Sequence, residues 1–118
     1  REYINFEINP NGAYLSQFGA ERNGRVFIKE LTAETPRVSA GVYPDAKGWH
    51  AELFIPESLI SALYGCEVSV NEGEIRGNFY KCADDSPTPH YGSLFPVGSA
   101  SLGFHNPEKF GTIKIIKR

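Results

Sequence analysis

Residues 76–92, RGNFYKCADDSPTPHYG, gather three aromatic rings, a lysine, a cysteine, two aspartates, a histidine and two prolines into one stretch. Phe79, Tyr80 and Tyr91 offer flat apolar faces, and Lys81 and His90 offer hydrogen-bonding groups beside them. Such a mixture closes one end of a core, or it lines a place where something flat and polar is held. Asn78 and Tyr80 alternate opposite to Phe79 on an extended chain. They are expected on one face, reaching a ligand or bordering solvent. His90 and Tyr91 follow Pro89, and either bind or pin their loop to the body. Further on, His105 beside Phe104 suits a donor to a hydroxyl, or a cap for the turn at Asn106-Pro107.

Catalytic patterns are weak. Asp84 and Asp85 are adjacent, so on an extended chain they point opposite ways and cannot flank one glycosidic bond. They read instead as loop solvation, turn hydrogen bonding or cation ligation. His50, His90 and His105 are scattered, and no G-x-S-x-G elbow is present. No catalytic residue is assigned, and the chain reads as a non-enzyme.

These residues need elements to position them. EYINFEI (2–8) alternates, with Ile4, Phe6 and Ile8 on one face and Tyr3, Asn5 and Glu7 on the other. NPNG (9–12) turns the chain into a partner strand at 13–18, and Asn-Gly in ERNGR (21–25) marks a second hairpin. RVFIKEL (25–31) and RVSAGVY (37–43) read as strands. GWHAELFI (48–55) puts Trp49, Ala51, Leu53 and Ile55 on one face and His50, Glu52 and Phe54 on the other. Trp49 is expected in the core, as are Phe6, Phe79 and Phe110. PESLISALYG (56–65) changes period, with proline at the start, Leu59, Ile60 and Leu63 at helical spacing, and Gly65 as a stop. It predicts one short helix over about 57–64. EVSV (67–70) and EIRGNFYKC (74–82) return to strand, a long loop runs from Ala83 to about Pro107, and GTIKIIK (111–117) closes with Ile113 and Ile115 inward. The loop's length marks it as functional or disordered, and its Tyr91, Phe95, Phe104 and His105 speak for function.

The bulk numbers fit this layout. A chain of 118 residues suits one domain, and twelve glycines with eight prolines supply the turns of an all-β fold. The expected architecture is an antiparallel β-sandwich, jelly-roll-like, with that one helix. A net charge of -2 without a basic stripe argues against nucleic acid, and no apolar run approaches the ~20 residues of a membrane span. Cys66 and Cys82 are too few for a disulfide scaffold and fit no zinc spacing. They are two small buried thiols, or a pair bridging neighbouring strands in an exported protein. The chain opens on Arg1 and has no methionine, which reads as a processed or partial chain.

Four segments in order, YINFEINPNG, GWHAELFIPESLI, IRGNFYKC and FHNPEKFGTIKI, resemble the family 9 carbohydrate-binding modules and their family-9-like relatives. The resemblance covers nearly the whole chain but only the later part of that domain. It implies a β-sandwich incomplete on its N-terminal side, with an open sheet edge and an uncovered core face. It also implies non-catalytic binding of a sugar terminus or oligosaccharide, in a module of an exported bacterial polysaccharide-degrading system or a partner to one. The covering partner would be a missing N-terminal segment or a neighbouring catalytic domain. In such modules a ring stacks on the sugar just before the Asn/Asp-Pro of the last loop, which is Phe104 here, where well-known binders carry tryptophan. The tryptophan that closer relatives carry after PHY-x-S is Leu94. The first strand supplies polar contacts, here Asn5 and Glu7. No cofactor is required, though the family often holds structural calcium, for which Asp84 and Asp85 are the candidates. The alternative is a sandwich that keeps the fold, has lost the sugar site and serves as a structural or protein-interaction module. A third reading is an accessory domain lending a loop to an enzyme's cleft.

Overall fold

The computed structural model describes residues 2–45, 47–71, 73–98 and 103–117, which form two compact units, Arg1–Ser69 and Val70–Arg118. Strand pairing is antiparallel throughout.

In the first unit, β1 (Tyr3–Ile8) pairs with β2 (Tyr14–Gly19) from Tyr3↔Gly19 to Ile8↔Tyr14. The NPNG turn closes this hairpin. Asn9 Oδ1 accepts from the amides of Asn11 and Ala13, each at 3.0 Å, and Gly12 takes the left-handed φ of 82° that the turn needs. β3 (Val26–Phe27) adds to β2 across the Asn-Gly turn. The strand expected over 25–31 then stops, and Ile28–Leu31 forms a single helical turn, α1. That turn lowers Ile28 to 1% exposure, which continued alternation at the sheet edge would not do.

β4 (Arg37–Val42) and β5 (Trp49–Phe54) form a separate hairpin, registered from Arg37↔Phe54 to Val42↔Trp49. The two faces expected for 48–55 are those observed. The predicted helix is α2 (Glu57–Tyr64), with Pro56 as N-cap and Gly65 following at φ 66°. Leu59, on α2, is wholly buried. Together with Tyr3, Ile28 and Pro36 it forms the buried apolar set of the described residues. Tyr3 thus sits inside, although alternation had placed it on the polar face of β1. Burial, then the Glu2 charge, raises the Tyr64 phenol above its ordinary pKa, and its hydroxyl donates to Glu2 O at 2.9 Å.

The second unit corrects more. Residues 67–70 form no strand, and the strand expected over 74–82 is two. β6 (Gly73–Gly77) pairs with β9 (Gly111–Ile115), setting Ile75 opposite Ile113. β7 (Tyr80–Ala83) pairs with β8 (His90–Ser93), which lies inside the expected loop. Residues 99–102 of that loop lie outside the described residues. Pro107–Lys109 forms a 3-10 turn capped by Asn106, whose Oδ1 accepts from the Glu108 amide, so the capping role weighed for His105 falls to its neighbour.

Four expected core residues are not buried. Trp49 is 41% exposed, Phe79 is 64% exposed, and Phe6 and Phe110 are half-buried. Trp49 does lie on the apolar face of its hairpin, opposite Val42, but that end of the face is open. Both cysteines are exposed rather than buried. Among the described residues no helix is long and apolar enough to cross a membrane.

Candidate functional site

The site is built on the β7–β8 hairpin and what fastens it. β6 ends at Gly77, and Asn78 breaks the strand because its side chain is spent on backbone. Asn78 Oδ1 accepts from the amides of Phe79 (2.9 Å) and Phe95 (3.0 Å), and its Nδ2 donates to Phe95 O at 3.0 Å. Leu94 N donates to Phe79 O at 2.9 Å beside it. Asn78 therefore ties the two open ends of the hairpin together. The face it was expected to share with Tyr80 does not exist, because the strand is interrupted between them. The Phe95 ring fixed in this way lies where a Cβ on Gly111 would come within 2.5 Å, so only glycine fits at the start of β9.

The register Tyr80↔Ser93 and Cys82↔Tyr91 puts these four side chains on one face of the hairpin, and Lys81, Ala83 and His90 on the other. Phe104 stacks on Tyr80, with ring centroids 4.3 Å apart and planes 17° off parallel, and meets Tyr91 edge-on at 6.3 Å and 65°. Both arrangements are favourable for aromatic quadrupoles. Tyr91 remains 59% exposed while Phe104 is half-buried. The Tyr91 hydroxyl donates a hydrogen bond to Asp84 Oδ1. That bond, and after it the carboxylate charge, raises the phenol above its ordinary pKa and keeps it a neutral donor.

On the opposite face Lys81 Nζ contacts His90 Nε2, while His90 Nδ1 lies 2.7 Å from Thr88 O. A carbonyl can only accept and an ammonium can only donate, so the two contacts suit a tautomer that donates from Nδ1 and accepts at Nε2. His90 and Lys81 occupy each other, away from the rings.

Of the expected site residues, Tyr80, Tyr91 and Phe104 come together. His105 follows Phe104 and is half-buried, Asn78 is a clamp, and His90 faces away. Asn5 and Glu7 belong to the first unit, on one face of β1, where Asn5 Nδ2 donates to Glu7 Oε1 at 3.1 Å. Asp84 serves as the anchor for Tyr91. Among the described residues no three His, Cys, Asp or Glu side chains converge as a metal site. Sequence reading missed Asp84 in this role. The signal available was an aspartate seven residues before a tyrosine across a proline-rich turn, which becomes informative only once β7 and β8 are known to pair.

A hairpin face carrying three touching rings, with a phenol held neutral at its edge, can stack against a flat, hydroxyl-bearing ligand. The sequence profile of carbohydrate-binding family 9 matches residues 1–115. The chain belongs to carbohydrate-binding family 9. A protein from Bacteroides uniformis ATCC 8492, described provisionally as carbohydrate-binding, has a crystal structure that superposes on 96% of the chain at 29% identity with a TM-score of 0.70. The superposed part is 54% of that protein, so the chain spans about half its length. A search of curated proteins gives no match. The all-β antiparallel layout with its short helix is compatible with the β-sandwich of a family 9 module.

Proposed function

We propose that this protein is a non-catalytic carbohydrate-binding module of an exported polysaccharide-degrading system, holding its sugar against the Phe104–Tyr91 face of the β7–β8 hairpin. The carrying observation is the stacked and edge-on packing of Phe104 with Tyr80 and Tyr91. It fixes the ring orientation before any ligand arrives and so lowers the ordering cost of binding. Phe104 supplies the apolar contact for a sugar's C–H face, and Tyr91 and His105 border it with polar groups.

Calorimetric titration with mono- and oligosaccharides tests this. The wild-type chain is expected to bind saturably. Phe104→Ala is expected to weaken binding about 10-fold, the size of effect that loss of one aromatic contact worth about 0.5–1.5 kcal/mol gives at its upper end. Unchanged affinity in both Phe104→Ala and Tyr91→Ala would remove the site from this hairpin. A flat trace for every sugar would favour the interaction-module reading, which has its own supporting observation: one face of the Phe104 ring is already spent on Tyr80.

We infer in addition that the open end of the Val42–Trp49 face is covered by further β-structure of the same domain. An exposed indole directly opposite an exposed valine is apolar surface that a sandwich buries. Trp49 is expected to emit at longer wavelength and to be quenched more readily by acrylamide in the 118-residue chain than in a longer polypeptide carrying it. Equal emission and quenching in both would sink this inference.

A further inference from the structure

The other face of the β4–β5 hairpin carries a second set of rings that the hairpin at β7–β8 does not explain. Its register places Arg37, Ser39 and Gly41 with His50, Glu52 and Phe54, and the Tyr43 amide extends the ladder by donating to Gly48 O at 2.9 Å. The two aromatic residues at the turn end each stand opposite a glycine. A Cβ on Gly41 would lie 3.2 Å from the His50 ring, and one on Gly48 would lie 3.3 Å from the Tyr43 ring. Both rings therefore approach the partner strand closely and are tilted to each other, with centroids 5.2 Å apart and planes at 52°. At the far end Arg37 covers the Phe54 ring, its guanidinium carbon 4.2 Å from the centroid. Tyr43 and Phe54 are each 51% exposed. Between the ring pairs Ser39 stands opposite Glu52, and Arg37, Ser39, Glu52 and Phe54 line a shallow groove. Six residues of strand separate the two ends, a span of about 20 Å at the usual rise.

We propose that this face is a second carbohydrate-binding surface that lies along a neutral, extended oligosaccharide. The inference rests on the reading of the chain as a carbohydrate binder. The pattern fits that occupant better than a protein edge or an anionic ligand. Rings at both ends suit C–H faces spaced along a chain. A carboxylate that only accepts and a guanidinium that only donates, both solvent-exposed and of opposite sign, suit hydroxyls that do both. Among the described residues Glu52 has no ion-pair partner, so its acceptor oxygens are available. The glycines opposite His50 and Tyr43 give those rings room against the strands, where a side chain would crowd them.

The test compares a monosaccharide with a long linear neutral oligosaccharide, using the full chain. The double variant Tyr43→Ala/Phe54→Ala is expected to bind the long oligosaccharide at least 10-fold more weakly and to keep wild-type affinity for the monosaccharide held at the Phe104 face. Glu52→Gln, which keeps size and removes the charge, is expected to weaken the oligosaccharide alone, several-fold, and guards against misfolding of the double variant. Wild-type affinity of the double variant for both ligands, with binding lost in Phe104→Ala, overturns the second surface and leaves the first. Oligosaccharide binding lost in the double variant but intact in Phe104→Ala supports the second surface and overturns the first. No binding of any sugar by the wild-type chain overturns both, and capture of a protein at this face in place of sugar overturns the choice of occupant.

Discussion

Replacing Leu59 with alanine is expected to lower the unfolding free energy by about 2–5 kcal/mol, the range for truncating a buried leucine that leaves a cavity. Leu59 is 0% exposed, on a helix whose start at Pro56 and stop at Gly65 fix its phase. Among the described residues only Tyr3, Ile28 and Pro36 are buried with it, so Leu59 is a large part of the buried core. A small domain is stable by roughly 5–15 kcal/mol in total, so one truncation removes a large share. Urea unfolding followed by far-UV circular dichroism checks this. Phe79→Ala is the control: its ring is 64% exposed, and it should shift the midpoint little. Equal midpoints for Leu59→Ala and wild type would mean that the core lies elsewhere.

The second large effect is expected at Asn78. Every fully or nearly fully buried apolar side chain of the described residues lies in the first unit, so the second unit leans on directional bonds. Asn78 makes three of them, at 2.9, 3.0 and 3.0 Å. Asn78→Ala leaves the Phe95 amide and carbonyl and the Phe79 amide without their side-chain partner, at a cost of about 1–3 kcal/mol. Asn78→Asp keeps both acceptor bonds but turns a carboxylate oxygen toward the Phe95 carbonyl oxygen, where the amide donor had been. It is expected to destabilise as well, which a merely space-filling asparagine would not predict. Hydrogen exchange at the Phe79 and Phe95 amides should accelerate in the alanine variant, and sugar affinity should fall with it as the β7–β8 hairpin loosens. Protection of both amides at the wild-type level would show that the clamp is dispensable.

The comparison between sequence and structure turns on locality. The alternation of 48–55, the helix at 57–64 and the two Asn-Gly-bearing turns are present where the sequence places them, because period, caps and positive-φ glycines act within a few residues. The family resemblance was legible for the same reason, as short segments in a fixed order. The candidate site was legible in part. Tyr80, Tyr91 and Phe104 could be singled out as rings near polar groups, but their contact needed a strand that a proline-rich stretch concealed.

What the sequence by itself determined is therefore the class of fold, the family and the local turns and caps that begin and end the elements. Only the tertiary structure decided which faces are covered. It buried Tyr3 and left Trp49 and Phe79 open, because burial depends on what packs against a face and not on the residue's own apolarity. It turned Asn78 into a clamp and aimed His90 away from the rings, because a side chain's hydrogen-bond partners come from distant segments brought together by strand pairing. It also set the tilted Tyr43 and His50 rings against glycines of the partner strand, an arrangement fixed by cross-strand register and invisible to any pattern along one strand.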